Sequence, residues 1–303
     1  MHRGTWLRRA APDLAGVRYR WLLCGALGLL TGARACGDAR SETGASKRAT
    51  TVSKASADAP RDAAQCDTTG ILIPNFDLRF DRTPVTVAQF ADFVAATGYV
   101  TEAETFGNSA VFDYDEQAWT LLDGAFWRQP LGPGAGDAAA DHPVTQVSFR
   151  DAETYCAHNG KRLPTAAEWE AAARYRQPDG ARLYPWGDDI RDESGAYRAN
   201  VWQGIFPHTR RVEDGYAYTS PVEAYPPAPS GLYDMAGNVW EWTTDVKSGA
   251  GVPGDGVHRL AKGGSFLCEP GWCHGYTVDG LTNTSEETGL FHTGFRCACE
   301  AGG

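Results

Sequence analysis

The part of the chain after Arg176 contains no long helical or strand periodicity, and this feature constrains the fold more than any other. Glycine, proline, asparagine and aromatic residues recur there in short pieces, in a chain with 35 glycines and 10 tryptophans among 303 residues. Such a pattern predicts short strands joined by long, ordered loops. Because ordering a long loop costs conformational entropy, we expect metal ions, disulfides or both to hold these loops in place.

Helix starts are readable only before that point. Thr86-Val-Ala-Gln89 and Thr165-Ala-Ala-Glu168 have the spacing of capping boxes, in which a threonine and a Glu or Gln satisfy each other's backbone N–H groups. Ser148 is a third candidate N-cap, ahead of a segment that contains Tyr155 and Cys156. Three short helices are therefore predicted in the N-terminal half of the folded region.

The N-terminus has the pattern of an export signal. Residues 1–35 carry a basic, arginine-rich start, an apolar stretch over 21–30 and an Ala-Arg-Ala sequence over 33–35. The apolar stretch is far shorter than the roughly 20 residues that a membrane-spanning helix needs. We therefore expect residues 1–35 to be a removable signal peptide, which places the protein in the periplasm or outside the cell. Cys36 follows directly, so a lipid anchor to the cell envelope at this residue is the one expected membrane attachment.

Composition divides the remainder into two parts. Residues 36–65 are small and polar with almost no large apolar side chains, which predicts a flexible tether. Aromatic and apolar residues return at Cys66 and continue to the end, so residues 66–303 are predicted to be one domain. The formal charge of −10 argues against a nucleic-acid partner, because binding to phosphates requires clustered Lys and Arg.

Cys268 and Cys273 are the candidate centre of chemistry. They lie five residues apart, directly after Gly263-Gly264-Ser265, where the glycines permit close backbone approach. Soft thiolates favour Cu(I), zinc or iron–sulfur clusters, and two thiolates alone suit Cu(I) better than a four-ligand zinc site. A plain structural disulfide is the competing interpretation, since export permits disulfides. The nearby histidines are interpreted as solvated or core residues rather than ligands.

Oxygen-bearing residues cluster in two further places. Alternating side-chain and backbone oxygens from tight loops are how proteins hold Ca²⁺, whereas the same residues also form ordinary turns. The first cluster consists of Asn200, Val201, Asp214 and Tyr216, and the second of Asp234, Gly237, Val239 and Glu241.

Several blocks over about residues 82 to 299 carry a resemblance to one enzyme family. Gly-Asn-x-Trp-Glu-Trp together with Gly-Gly-Ser is the most specific combination among them. The blocks are Pro84–Phe90, Thr97–Gly107, Asp141–Val144, Gly160–Thr165, Glu168–Glu170, Pro185–Gly187, Asn200–Gly204, Gly231–Tyr233, Gly237–Trp242, Lys262–Ser265 and Gly294–Cys297. With these blocks in this order, the chain resembles the formylglycine-generating enzyme (sulfatase-modifying factor) family.

The resemblance implies a single compact α+β domain of the formylglycine-generating-enzyme type. This domain is distantly like C-type lectins, has little regular secondary structure, and is stabilised by metals and disulfides. Cys268 and Cys273 then match the family's copper-binding catalytic pair, and Ser265 matches an active-site serine. The two oxygen clusters match two structural Ca²⁺ sites.

Disulfides are also implied by the resemblance. It pairs Cys156 with Cys297, and the family's other disulfide falls at Ala173 and Val278, where both cysteines are absent. Cys66 and Cys299 remain as a possible substitute pair.

The implied activity is oxidation of a cysteine in a sulfatase-type peptide to formylglycine, with Cu(I), O₂ and a thiol reductant. Two departures from the family bear on it. The family's opening strand pair is missing or shrunken before Pro84, and the segment after Cys273 lacks the arginines usual there. The missing arginines give one alternative, the same copper chemistry on a different thiol or peptide. The tether and a lipid at Cys36 give another, a non-catalytic, envelope-anchored structural or binding protein on the same fold.

Overall fold

The computed structural model describes residues 69–247, 256–271 and 273–302. The predicted signal peptide, the tether and Cys66 lie outside the described residues. The described part contains four α-helices: α1 Val87–Thr97, α2 Glu102–Phe106, α3 Phe149–His158 and α4 Ala166–Arg174. It contains eleven strands: β1 Ile71–Ile73, β2 Leu78–Phe80, β3 Asn108–Asp113, β4 Ala118–Asp123, β5 Gln203–Ile205, β6 Thr209–Arg211, β7 Trp240–Val246, β8 His258–Lys262, β9 Leu281–Ser285, β10 Thr293–Gly294 and β11 Ala298–Glu300.

The helices begin where local sequence dictates. Thr86, Ser148 and Thr165 each cap a helix through a reciprocal capping box, which confirms the three predicted starts. A fourth capping box, formed by Thr101 and Glu104, begins the short helix α2. That helix was not predicted, although its Thr-Glu-Ala-Glu start is readable, because five residues are too few to show a periodic apolar face.

Short sheets take the place of regular secondary structure in the second half. The strand order is β10-β7-β8-β9 in the largest sheet and β1-β2-β11 in a second, while β3–β4 and β5–β6 are two-stranded hairpins. β1 and β2, both ahead of Pro84, pair antiparallel over three residues each. The sheet β1-β2-β11 joins the two ends of the described domain.

Aromatic side chains fill the core between the helices and the strands. Trp127, Trp169 and Trp242 are fully buried, and Phe90 contacts Trp127, Tyr155 and other rings at centroid distances of 5.4–6.5 Å. The arrangement of short helices against small sheets confirms the predicted α+β domain. No helix of the described residues is long and apolar enough to cross a membrane.

Disulfides hold the loops as the resemblance implies. Cys156 of α3 is bonded to Cys297 across 141 residues, with both residues buried in the largest apolar cluster. Cys299 is also disulfide-bonded, and its suggested partner Cys66 lies outside the described residues. Ala173 and Val278, at the positions of the missing family disulfide, are both buried in one apolar cluster.

Removing the cap of α4 tests how far local sequence stabilises the fold. Thr165 accepts the N–H of Glu168 at 3.1 Å, and Glu168 accepts the N–H of Thr165 at 2.7 Å. Thr165→Ala should lower the free energy of unfolding by about 1 kcal/mol, because it orphans a helix N–H group. Thr165→Ser keeps the hydroxyl group that accepts this N–H, so it should retain most of the wild-type free energy of unfolding. Equal urea midpoints for the two variants would contradict this account.

Candidate active site

Two glycines direct the chain from β8 into the cysteine segment. Gly263 and Gly264 have φ angles of +93° and +72°, a region that favours glycine. A Cβ atom on Gly264 would lie 2.5 Å from the backbone nitrogen of Tyr276, so no side chain fits there. The Gly-Gly pair therefore sets both the turn and the close approach of the segment after Cys273.

The turn brings Cys268 and Cys273 together. Their Cα atoms are 4.8 Å apart and the two residues form a disulfide in the structure. The N–H of Cys268 donates to the carbonyl of Ser265 at 2.9 Å, and the N–H of Cys273 donates to the carbonyl of Glu269 at 2.8 Å. Cys268 is 1% exposed. The backbone thus fixes both sulfur atoms next to each other in a tight loop.

Ser265 lies directly beside this pair. Its Oγ is 4.0 Å from the Sγ of Cys268 and accepts the N–H of Leu267 at 3.3 Å. The residue is fully buried. The structure therefore places all three predicted catalytic residues in one cluster.

A cavity of about 590 Å³ opens over the cysteines. Its apolar walls are Phe112, Trp119, Phe206, Trp240, Leu267 and Leu281. Its polar lining includes Ser265, Gln117, Thr282, His274 and His292. Among the described residues that line it, none is Asp, Glu, Lys or Arg, so the two cysteines face a cavity whose lining mixes apolar side chains with polar ones that carry no carboxylate, amine or guanidinium.

His292 is a cavity residue that sequence reasoning assigned to the core or the solvent. Its ring lies 4.9 Å from that of Trp119, and Nδ1 is 3.3 Å from the hydroxyl of Thr293. Burial lowers the pKa of His292 to about 3, which keeps the imidazole neutral at physiological pH. The sequence contains no spacing motif that links His292 to the cysteines. His292 reaches the site because the adjacent strand β10 pairs with β7.

The first predicted Ca²⁺ set contains a buried amide with an unpaired oxygen. Asn200 is buried, its Nδ2 donates to the carbonyl of Tyr218 at 2.8 Å, and its Oδ1 has no hydrogen-bond partner in the described part of the chain. Asp214 accepts the N–H of Tyr216 at 3.1 Å and the hydroxyl of Tyr225 at 2.8 Å. A buried oxygen normally has a hydrogen-bond partner, and one without such a partner is a candidate ligand for a cation.

The second set has a different balance of charges. Both oxygens of Glu241 accept from Arg296 at 2.6 Å, and Oε2 also accepts the indole N–H of Trp169 at 2.7 Å. Burial raises the pKa of Asp234 to about 6, even though the N–H of Glu223 donates to it at 3.2 Å. Glu241 is thus already neutralised by Arg296, whereas Asp234 has no cationic side chain bonded to it in the described structure.

Within the described residues, no group of three or more His, Cys, Asp or Glu side chains is placed to hold a metal ion. The cysteines therefore offer a metal two sulfur ligands, and the oxygen clusters depend on amide and backbone carbonyl oxygens besides their carboxylates.

Comparison with known proteins shows which family and which proteins this chain is similar to. Residues 47–301 match the model of the sulfatase-modifying factor enzyme 1-like domain. A formylglycine-generating enzyme of Thermomonospora curvata is 42% identical over 248 residues, covering 73% of this chain and 81% of the relative. An inactive Cα-formylglycine-generating enzyme 2 of Bos taurus is 40% identical, covering 73% and 77%. PvdO from Pseudomonas aeruginosa shares the fold, with a TM-score of 0.53, 23% identity and coverage of 74% and 80%.

Proposed function

The chain belongs to the sulfatase-modifying factor enzyme 1-like family, and from that premise we propose that it oxidises a peptide cysteine to formylglycine. The single observation that carries the proposal is the pair Cys268 and Cys273, held together beside Ser265 at a cavity large enough for a peptide segment. Relatives at about 40% identity that are named formylglycine-generating enzymes support this reaction for the family.

Cu(I) fits the donor set once the disulfide is reduced. Reduction gives two thiolates fixed next to each other, and soft sulfur ligands select Cu(I) over harder cations. Bound there, Cu(I) would supply the redox chemistry with O₂ that no side chain of the site can supply by itself. Overall, one substrate thiol, one O₂ and two hydrogens from a thiol reductant give a thioaldehyde and two waters. Water then releases the aldehyde and H₂S.

The residues around the cysteines have definable roles in this proposal. Trp240 and Leu267 are buried walls that limit water around the reacting sulfur. Ser265 lies close enough to Cys268 to orient a substrate group that enters next to that sulfur. His292 presents a neutral imidazole to the cavity, which adds no positive charge beside the thiolates.

Two other functions remain as alternatives to this proposal. The same copper chemistry on a different thiol is favoured by the absence of arginine in His274–Leu281, after the second cysteine. A non-catalytic, envelope-anchored protein is a second alternative, because a 40% identical relative is named as inactive. Against the latter, a binding scaffold has no need of two cysteines beneath an open cavity.

A peptide assay separates these functions. The protein is loaded with Cu(I) and given O₂, dithiothreitol and a Cys-x-Pro-x-Arg peptide, and the product is identified by mass spectrometry. Conversion of cysteine to aldehyde supports the proposal. Tight Cu(I) binding without conversion favours another thiol substrate, and the absence of both favours the scaffold.

We also propose Ca²⁺ as a structural ion. The Oδ1 of Asn200, which is buried and has no hydrogen-bond partner in the described part of the chain, supports the first set. In the second set, the elevated pKa of Asp234 marks a carboxylate that a cation would stabilise. At Glu241 the ion would have to share the carboxylate with Arg296.

Calcium removal should therefore lower stability. At a Ca²⁺ concentration 100-fold above the dissociation constant, one site adds about 2.7 kcal/mol to the free energy of unfolding. We expect a chelator to remove this amount for each occupied site, and Asn200→Ala to reduce the effect of Ca²⁺ on the urea midpoint. Asp179→Ala, an exposed carboxylate outside both sets, is the matched control. An unchanged midpoint in wild type with and without Ca²⁺ would rule out structural calcium.

A further inference from the structure

We propose that the substrate binds as an extended segment along the open edge of β4, with uncharged and mainly apolar residues on either side of its cysteine. This inference rests on the proposed function, because it names the class of peptide that the cysteine site accepts. Three features carry it: the hydrogen-bonding edge of β4, the position of that edge at the cavity, and the chemistry of the cavity lining.

The strand β4 pairs on one side only. Its partner is β3, in a two-stranded sheet of the described residues. The N–H of Gly124 donates to the carbonyl of Gly107, so this pair is hydrogen-bonded and, by alternation, Thr120 faces β3. The backbone groups of Trp119 and Leu121 then point away from β3.

The hydrogen bonds on the other side of β3 support this assignment of inward-facing and outward-facing residues. Ala110 donates to the carbonyl of Gly289 at 3.3 Å and accepts the N–H of Phe291 at 3.2 Å. Ala110 therefore faces away from β4, as the alternation requires for the residue opposite Leu121. The two sets of hydrogen bonds independently give the same outward-facing residues on β4.

The strand β4 begins at the cysteine cavity. Ala118 and Trp119 of β4 line the same cavity as Cys268 and Cys273. Proteins usually protect an exposed edge strand with lysine, proline or a bulge, because such an edge recruits other strands. The strand contains no lysine, proline or bulge, and its single charged residue, Asp123, is the last one. An unprotected edge beside a reactive site is suited to adding a peptide as a further strand.

The side chains around the edge define the peptide. Trp119 is 47% exposed and Leu281 55%, so apolar surface is available at the cavity, and Leu121, two residues further along β4, is 65% exposed. Trp119 is fixed in place by edge contacts to Phe112 and Phe291, each at 5.7 Å. A rigid aromatic platform of this kind gives contact area at little cost in conformational entropy.

The lining also excludes charge. No described lining residue is Asp, Glu, Lys or Arg, so a charged substrate residue entering the cavity would lose water without gaining an ionic partner. Apolar or small hydroxyl-bearing neighbours of the cysteine meet no such cost. The favoured substrate therefore carries residues such as Val and Thr next to its cysteine.

The first experiment tests the proposed substrate class by comparing charged and uncharged peptides. A nine-residue peptide with Val and Thr on both sides of a central cysteine is compared with versions that carry Lys or Glu in place of Val. Serine versions of the same peptides measure binding by calorimetry, independently of turnover. We expect the charged versions to bind more than about tenfold weaker. Equal binding of the charged and uncharged serine peptides would overturn the substrate class.

A variant tests the strand edge. Leu121→Pro removes an outward N–H that β3 does not use, whereas Leu121→Ala removes only the side chain. The proline variant should bind the Val-Thr serine peptide about five- to tenfold weaker than the alanine variant. Peptides N-methylated at single positions probe the same bonds in the wild-type protein, so the test does not depend on the variant folding. Equal binding of every N-methylated peptide and the parent would overturn the edge assignment.

These readouts separate this inference from the proposed function. Selective binding of the serine peptides without oxidation of the cysteine peptides supports the docking mode and contradicts the oxidase. Oxidation that ignores flanking charge and N-methylation supports the oxidase and contradicts the docking mode.

Discussion

Replacing Cys268 or Cys273 by alanine is expected to lower the rate of peptide oxidation by a factor of about 10³ or more. When two residues act together, the loss of either one removes nearly all of their joint contribution to the rate. Each variant leaves one sulfur where two are needed to hold Cu(I) in the proposed site. The side chain of Cys268 is buried and small, so alanine leaves the walls of the cavity in place. Cu(I) affinity should fall together with turnover.

Two measurements check this result. Mass spectrometry follows the peptide product, and competition with a chromogenic Cu(I) chelator follows the metal. Both are made with dithiothreitol present, so that wild type and variants are compared without the Cys268–Cys273 disulfide. Asp179→Ala, at an exposed position far from the cysteines in sequence, should behave as wild type. Aldehyde formation at the wild-type rate in either cysteine variant would remove the pair from the mechanism.

Removing the disulfide between Cys156 and Cys297 is expected to cost about 4–5 kcal/mol in the free energy of unfolding. The bond closes a loop with a sequence separation of 141, and long loops lose the most entropy when they are cross-linked in the unfolded chain. Both residues are also buried among aromatic side chains. The Cys156→Ala, Cys297→Ala double variant should therefore be much less stable than wild type, although it keeps all residues of the cavity.

The second disulfide provides the matched control. Cys268 and Cys273 are separated by only five residues, for which the same model gives about 2 kcal/mol. Urea unfolding of the two double variants, without reductant, measures both losses. Equal losses would show that loop length does not govern the stability of this domain.

Local sequence predicted those features that depend on neighbouring residues. The capping boxes at Thr86 and Thr165 are closed within four residues, and both helices begin where predicted. The pairing of Cys268 with Cys273 depends in the same way on a short loop after Gly264, whose positive φ angle favours glycine and whose close approach to Tyr276 leaves no room for a side chain. The Cys156–Cys297 bond joins distant segments, so spacing alone did not predict it and only the family resemblance implied it.

What the sequence by itself determined was therefore the family, the helix starts and the adjacent pair Cys268 and Cys273, because each depends on short-range patterns that the chain shows directly. Only the tertiary structure decided what surrounds that pair. His292 reaches the cavity through the pairing of β10 with β7, and Trp119 reaches it from a hairpin that lies about 150 residues earlier. Contacts across such distances depend on how the sheets pack, and no local periodicity records that packing.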